Sequence, residues 1–197
     1  MNYLAHAYLS FHQPQVLVGN MISDFVKGRK QFDYPPVVQQ GIRLHRAIDT
    51  FTDQHPATKR AKEFLKPAVG PYSGAFVDVV YDHFLALDAT HFTETGLRSF
   101  AEEVYAQLHS NLSLLPERFA ALLPYMSQQN WLFGYRFTDG IEKSFGGVVR
   151  RAQYLNSSAE VFDLFVLHYD ALHEAYKAFF PELYQYTSTQ FNALLIQ

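Results

Sequence analysis

The chain has 197 residues, of which 48% are hydrophobic and 16% aromatic, so it has enough apolar side chains for one folded domain and does not resemble a disordered chain. It contains no cysteine, which excludes disulfides, thiolate metal sites and a cysteine nucleophile. The net charge of −3 does not indicate a nucleic-acid partner. No apolar run approaches the roughly 20 residues that span a bilayer, and the N-terminus lacks the pattern of a signal peptide. We therefore expect a cytoplasmic protein without membrane contact.

Helical spacing of apolar residues continues through nearly the whole chain, and no alternating pattern of useful length indicates a strand. We expect an all-α protein in which residues 1–197 form a single domain. The first helix begins at Asn2, a good N-cap, and Pro181 is expected to separate the last two helices. The expected helices cover about residues 2–11, 15–26, 36–54, 55–66, a segment around 78 that ends near 87, 94–110, 116–127, 139–153, 158–179 and 182–195.

The helix around residue 78 is the most informative segment, because it is apolar and yet carries Asp78, Asp82 and His83. The two acids are four residues apart and share one helix face, while the histidine lies about 100° around the helix. Carboxylates on an apolar helix are costly unless a cation or hydrogen-bond donors meet them. A divalent metal ion is the obvious cation, and capping or a salt bridge is the structural alternative.

Three further apolar segments each carry a side chain that can bind a metal. His45 and Asp49 are four residues apart, Asp24 ends the run that begins at Val16, and His6 lies near the N-terminus. Taken singly, Asp24 is more simply a helix-end residue and His6 a core histidine. Four segments of this kind nevertheless suggest a shared site.

Charge is distributed unevenly along the chain. Residues 1–66 carry a balance of +4 and residues 67–197 a balance of −7. The first third could therefore present a basic surface to an acidic partner, although an unevenly charged solvated surface is the simpler alternative. Arg43 and Arg46 flank His45, which favours phosphate handling. The basic residues of this third are Lys27, Arg29, Lys30, Arg43, Arg46, Lys59, Arg60, Lys62 and Lys66.

Several motifs follow one another in a specific order. They are Asn2–His6, Gly19-Asn20 with Asp24–Gly28, Gly41-Ile42 with His45–Asp49, Thr52-Asp53, and Asp78-Val79 with Tyr81–Leu85; weaker ones follow at Trp131-Leu132, His168–Leu172 and Phe180-Pro181. In this order they resemble the acyl carrier protein phosphodiesterase family over nearly the whole chain. Neither a Walker loop nor a G-x-G-x-x-G or G-x-S-x-G motif occurs, so those nucleotide-binding and hydrolase classes are not indicated.

The resemblance implies a fold and a reaction. The family is similar to a divergent branch of the helical HD-domain phosphohydrolases, so an HD-domain-like fold is expected. Its members remove the 4′-phosphopantetheine arm from holo acyl carrier protein, with manganese preferred and magnesium or iron as alternatives. The implied products are apo carrier protein and 4′-phosphopantetheine, formed by attack of a metal-activated water on phosphorus.

The resemblance also implies a set of site residues. The expected catalytic residues, which are also the expected metal ligands, are Asp24, His45, Asp78, Asp82 and His83, with His6 and Asp49 next in line. The expected substrate-binding residues are Arg43, Arg46, Lys27, Arg29 and Lys30, which would contact a phosphate oxygen or the acidic surface of the carrier.

Two other functions stay open at this point. One is an HD-type phosphohydrolase that acts on a small nucleotide or another phosphoester. The other is a non-enzymatic helical binding protein in which the acid and histidine residues serve the fold. The sequence does not fix the identity or number of metal ions, the general base or the oligomeric state.

Overall fold

The computed structural model of the protein describes residues 1–195, and all regular structure within that range is helical. The all-α prediction is therefore confirmed. The α-helices in the described range are α1 (Tyr3–Tyr8), α2 (Pro14–Ile22), α3 (Pro36–Gln54), α4 (Pro56–Val69), α5 (Ser73–Leu87), α6 (Glu94–Ser110), α7 (Glu117–Gln128), α8 (Trp131–Gly134), α9 (Thr138–Arg151), α10 (Ala159–Leu167) and α11 (Tyr169–Leu195). Short 3-10 turns occupy Ser23–Phe25, Gly28–Asp33, Gly70–Tyr72 and Leu112–Leu114. Among the described helices, none combines the length and the apolar character needed to cross a membrane.

The central helix is α5, which is apolar nearly all round and therefore buried on all sides. It packs against α1, α4, α9 and α11. Phe76 meets Phe145 of α9 edge to face at 4.9 Å, and Tyr81 stacks on Phe179 of α11 at 4.8 Å. Buried apolar side chains from α1 to α11 join in one cluster around it. The HD-domain-like arrangement and the single domain over residues 1–197 stay predictions.

The closest helix pair is α2 with α3, and two glycines permit that contact. A Cβ atom on Gly19 would overlap the carbonyl oxygen of Val38, and a Cβ atom on Gly41 would overlap the carbonyl oxygen of Val16. The two backbones therefore touch directly. This contact brings Asn20 of α2 beside α3.

The expected boundary between the last two helices was wrong. The break lies at His168, and α11 runs without interruption through Pro181. A proline inside a helix removes one backbone hydrogen bond and crowds the preceding turn. Phe179, Phe180 and Leu183 are fully buried around it, and their burial outweighs that cost. The helix α4 continues through Pro67 for the same reason, since Leu65 and Val69 on either side are buried.

We predict that Gly41→Ala destabilises the fold by about 3 kcal/mol or more, because the added methyl group forces α2 and α3 apart. Urea unfolding measures the loss. Gly146→Ala in α9 is the matched control, since its Cβ would meet only the flexible end of Arg150 at 3.6 Å. The control should be neutral or up to about 1 kcal/mol more stable. Equal stability of Gly41→Ala and the parent chain would contradict the close contact.

Candidate metal centre

His6 of α1 meets His45 and Asp49 of α3, and their ligand atoms lie within 4.8 Å of one another. The two imidazole rings stack with their centroids 3.8 Å apart. Both histidines are buried, whereas the Asp49 side chain is 40% exposed. Asp24 joins at the edge, where its carboxylate contacts His45 and its side chain is 75% exposed. We call these four residues the His–Asp cluster.

Asn20 fixes the orientation of both imidazoles. Its side-chain NH2 donates to the carbonyl oxygen of His6 at 2.8 Å and to Ser10 Oγ at 3.1 Å, so its Oδ1 must act as an acceptor. Nδ1 of His6 donates to that Oδ1 at 2.9 Å, and Nδ1 of His45 donates to the main-chain oxygen of Asn20 at 2.8 Å. Both rings therefore carry a proton on Nδ1 and turn Nε2 toward the cluster. This is the arrangement in which a histidine binds a metal.

The two Nε2 atoms face carboxylate oxygens. His6 Nε2 lies 3.2 Å from Asp49 Oδ1, and His45 Nε2 lies 3.1 Å from Asp49 Oδ2 and 3.2 Å from Asp24 Oδ1. A nitrogen lone pair against a carboxylate oxygen is repulsive unless a proton or a cation lies between them. The donor set of imidazole nitrogen and carboxylate oxygen fits a divalent metal ion at this position.

Protonation of the cluster follows from its charges. Burial lowers the pKa of His45, but hydrogen bonds and charge from Asp24 and Asp49 outweigh it and raise that pKa to about 9. Burial and the charge of His45 together lower the pKa of His6 to about 4. Although burial opposes it, the two histidines hold the pKa of Asp49 well below its usual range. One imidazolium and two carboxylates therefore share the cluster near neutral pH.

A second cation lies beside the cluster. The α-ammonium group of Met1 is buried, 2.9 Å from Asp78 Oδ1 and 3.6 Å from Asp49 Oδ1. Burial lowers the pKa of this amine, but the charges of Asp78 and Asp49 outweigh burial and raise the pKa to about 10. Asp78 is thus linked to the cluster through the ammonium group.

A small cavity opens at the His–Asp cluster. Its volume is about 20 Å³, on the scale of a single water molecule. The cavity is lined by Met1, Asn2, Tyr3, His6, Asn20, Met21, Asp24 and His45. A larger groove of about 440 Å³ lies where α3, α4 and α11 meet, between Phe51, Pro56 and Glu182. The groove is the larger candidate for a binding site, but residues of the His–Asp cluster line the small cavity, so we take the small cavity as the candidate metal centre.

Asp82 and His83, both predicted as ligands, have other contacts in the structure. The buried Asp82 carboxylate accepts hydrogen bonds from the main-chain amides of Asn2, Leu4 and Ala5 at 2.7–3.3 Å, so it caps the N-terminus of α1. Burial raises the pKa of Asp82 to about 7, although the Met1 ammonium and these amides lower it.

The imidazole of His83 contacts Tyr135 and Tyr169. Its Nδ1 donates to the carbonyl oxygen of Tyr135 at 2.7 Å, and its Nε2 lies 2.9 Å from the Tyr169 hydroxyl. Both ring nitrogens are therefore engaged within the protein. The ligand roles of Asp82 and His83 stay predictions, and their contacts support structural roles instead.

The predicted ligands thus fall into three groups. Asp24 and His45 belong to the cluster, and His6 and Asp49, predicted next in line, lie at its centre. Asp78 adjoins it. Sequence reasoning missed Asn20, and a signal for it existed: an amide inside an apolar helix needs several partners when it is fully buried.

The basic residues predicted to bind substrate are close in sequence to Asp24 or His45. Lys27, Arg29 and Lys30 are exposed in and beside the 3-10 turn that comes after Asp24. Arg46 donates to the carbonyl oxygen of Val26 at 3.2 Å and to Gln31 Oε1 at 2.8 Å, so it ties this turn to α3. Arg43 is exposed on α3. Their contact with substrate stays a prediction.

Two buried imidazoles and two carboxylates meet beside a small cavity in this all-α protein, so the side chains define a helical protein with a candidate His/Asp metal site. A family model described as "Acyl carrier protein phosphodiesterase" matches residues 1–183. Proteins of that name from Salmonella paratyphi A (strain ATCC 9150 / SARB42) and Salmonella agona (strain SL483) are each 34% identical over 184 residues, which cover 93% of this chain and 95% of the relative. The chain therefore belongs to the acyl carrier protein phosphodiesterase family, and the resemblance seen in its motifs is confirmed. No solved structure matches the chain.

We predict that Asp82→Asn lowers the free energy of unfolding by about 1–3 kcal/mol but leaves metal binding intact. The new amide would place N–H groups against the main-chain donors of α1. Urea unfolding and elemental metal analysis of the same sample measure the two effects. His45→Ala should lose the metal and serves as the opposite case. If Asp82→Asn is as stable as the parent chain yet lacks metal, Asp82 is a ligand after all.

We predict that a divalent ion releases about one proton when it binds near neutral pH, because the proton on His45 must leave before Nε2 can bind a metal. Calorimetry in buffers of different ionisation enthalpy counts the proton, and His45→Ala should release none. A count near zero for the parent chain would contradict the assignment.

The raised pKa of His45 also predicts how the stability of the protein depends on pH. The pKa of folded His45 is raised from 6.5 to about 9, so its stabilising effect is complete below pH 6.5 and is lost as the pH rises through 9. The melting temperature of the chelated protein should therefore fall over that interval, and that of His45→Ala should fall less.

Proposed function

We propose that this protein hydrolyses the phosphodiester bond between 4′-phosphopantetheine and the serine of holo acyl carrier protein. The products are apo carrier protein, with its serine hydroxyl restored, and 4′-phosphopantetheine. The observation that carries the proposal is the pair of Nε2 atoms that converge on the shared carboxylate of Asp49, in a chain whose relatives are named acyl carrier protein phosphodiesterase. We place the reaction in the cytoplasm.

The metal in this proposal is manganese, with magnesium and iron as alternatives. His6, His45 and Asp49, with Asp24 at the edge, would hold it, because this mixture of nitrogen and oxygen donors suits such ions. When bound, the ion supplies an acidified water and neutralises the charge of the phosphodiester. Relative to the set expected from the sequence, this assignment leaves out Asp78, Asp82 and His83 and adds His6 and Asp49.

The residues of the chain have distinct tasks in the reaction. Asn20 holds both imidazoles in one tautomer, so no reorientation is needed at the time of reaction. In the metal-free protein a hydrogen bond from His45 lowers the pKa of Asp24, and a cation bound in place of that proton would also keep the carboxylate ionised near neutral pH. Since Asp24 is also mostly exposed, it is the carboxylate best placed to accept a proton from the attacking water.

The substrate is recognised through charge as well as through the phosphodiester. An acyl carrier protein is small, helical and acidic, and the first third of this chain has a balance of +4. Lys27, Arg29 and Lys30 are exposed and follow Asp24 by three to six residues, which supports a place for them at the edge of the reacting centre. Charges of this kind act mainly on the rate of association and are screened by salt.

We predict that manganese and this protein together remove the mass of the phosphopantetheine arm from holo acyl carrier protein. Intact mass spectrometry of the carrier measures the loss. Asp49→Asn, which keeps the size of the side chain but removes the charge shared by both imidazoles, should lower kcat at least 100-fold. An unchanged carrier, together with rapid hydrolysis of a small phosphoester, would favour a small-molecule phosphohydrolase. A chain that binds neither metal nor substrate would favour a non-enzymatic binding protein.

We predict that Lys27→Glu/Lys30→Glu raises KM for the carrier about tenfold, because association slows when the basic turn becomes acidic. Turnover of bis(4-nitrophenyl) phosphate should not change. The matched control is Lys177→Glu on α11, where the lysine is exposed and pairs with Glu174. Equal slowing of both substrates by the double variant would show that the turn serves the catalytic step or the fold.

A further inference from the structure

One side of the small cavity is aromatic. Tyr3 lines the cavity together with Asp24 and His45. The centroid of its ring lies 6.4 Å from that of Trp131, which is the first residue of α8. Both side chains are half-buried, so each packs on the core and keeps part of its surface accessible. We call Tyr3 and Trp131 the aromatic wall.

Main-chain contacts fix the position of Tyr3. It is the first residue of α1, and its amide donates to Asn2 Oδ1 at 3.0 Å. On either side, the amides of Asn2 and Leu4 donate to the carboxylate of Asp82 at 3.3 and 2.7 Å. No group within residues 1–195 forms a hydrogen bond with the Tyr3 hydroxyl, which is therefore available to a ligand.

The short helix α8 holds Trp131 beside this position. Asn130 has a left-handed backbone with a φ of 46°, and its side chain accepts a hydrogen bond from the Phe133 amide at 3.4 Å. The Leu132 amide donates to the hydroxyl of Tyr105 on α6 at 2.9 Å, and the Leu132 side chain is fully buried. The backbone that carries the indole is thus tied to the rest of the fold.

A second contact connects the same part of the fold to the candidate centre. The helix α7 packs against α8, and Phe119 of α7 meets Phe25 edge to face at 5.3 Å. Phe25 follows Asp24 directly in the sequence. Two separate aromatic contacts therefore join α7 and α8 to residues at the candidate centre or next to it.

The chemistry of the phosphopantetheine arm suits an aromatic surface. In 4′-phosphopantetheine, one methylene group separates the phosphate oxygen from a carbon that bears two methyl groups. A compact apolar group therefore lies close to the phosphorus, and a hydroxyl and two amides follow it. Aromatic side chains bind such a group because the contact removes apolar surface from water. A free phenol can in addition donate to a hydroxyl or carbonyl oxygen.

We propose that the aromatic wall binds the 4′-phosphopantetheine arm of the substrate, with the two methyl groups against Tyr3 and Trp131. This inference rests on the proposed function. The carrier and the arm are the two substituents of one phosphodiester, so they leave the phosphorus in different directions. The carrier lies over the exposed basic turn in the proposed function, and the arm lies along the wall.

Packing is the alternative role of Trp131. The indole contacts the core, so its loss would lower stability whether or not it touches a ligand. Two probes separate these roles, because both carry a phosphate group but only one carries the arm. They are 4′-phosphopantetheine, which is the product of the proposed reaction, and inorganic phosphate.

The first experiment uses the intrinsic fluorescence of the parent protein. Trp131 is the only tryptophan in the sequence, so its emission reports on the wall alone. Titration of the magnesium-loaded protein with 4′-phosphopantetheine should change this emission in a saturable manner, whereas inorganic phosphate should leave it unchanged. An equal response to both probes overturns the inference. So does the lack of any response at concentrations of 4′-phosphopantetheine that inhibit the enzyme.

The second experiment measures inhibition constants in the hydrolysis of bis(4-nitrophenyl) phosphate. We expect Trp131→Ala to raise the inhibition constant of 4′-phosphopantetheine about tenfold, because apolar contact with the arm is lost, and to leave that of inorganic phosphate unchanged. Trp131→Phe keeps a smaller ring and should raise the first constant about threefold.

Phe162→Ala is the matched control. Phe162 is a half-buried aromatic residue of α10, and its ring centroid lies 6.4 Å from that of Phe145. Its loss should lower the melting temperature, since it also packs on the core, without changing either inhibition constant.

The outcomes are distinct. If the parent chain hydrolyses the carrier and Trp131→Ala has unchanged inhibition constants, the aromatic wall is wrong and the proposed function stands. A rise of both constants by the same factor assigns Trp131 to the shape of the centre and also overturns the inference. If Trp131→Ala does not fold, Trp131→Phe and the titration of the parent chain decide. If the parent chain leaves the carrier unchanged, the proposed function fails, and a fluorescence response to 4′-phosphopantetheine alone would still support the wall.

Discussion

The buried amide of Asn20 is the group on which the candidate centre depends. It donates to two oxygens and accepts from one imidazole, while its main-chain oxygen accepts from the other. This is possible only because α2 and α3 touch at Gly19 and Gly41. The energy of burying a fully satisfied amide is small, but a lost partner would leave a polar group unpaired in the core. Orientation of the imidazoles and packing of the helices are thus parts of one arrangement.

The buried acid of α5 shows how the fold supports the centre at a distance. Asp82 accepts from three amides at the start of α1, and the same helix carries His6 into the cluster. The carboxylate therefore needs no cation of its own, because main-chain donors meet it. Its neighbour Asp78 meets the Met1 ammonium. Two acids one turn apart on a single helix have different partners, one in the backbone of α1 and one beside the His–Asp cluster.

The sequence could predict the helical class, since the apolar spacing is a property of each segment alone. It could also predict which residue types would meet, and His6, Asp24, His45 and Asp49 do meet. It could not predict the direction of Asp82 and His83, because spacing along one helix does not say which other element packs over each face. The continuation of α11 through Pro181 was missed for a related reason, since it depends on burial of Phe179 and Phe180 by other helices.

Gly19 and Asn20 are neighbours in α2, but they have different roles and face different parts of the structure. Gly19 has no side chain, so α3 can approach closely. Asn20 forms four hydrogen bonds beside the imidazoles. A shift of one residue turns a helix by about 100°. A one-residue deletion in α2 before this pair would therefore aim the amide at the carbonyl oxygen of Val38, and a one-residue insertion would put the glycine where the imidazoles need the amide. Either change disrupts packing and chemistry together. In this helix, the register of the chain is itself part of the candidate metal centre.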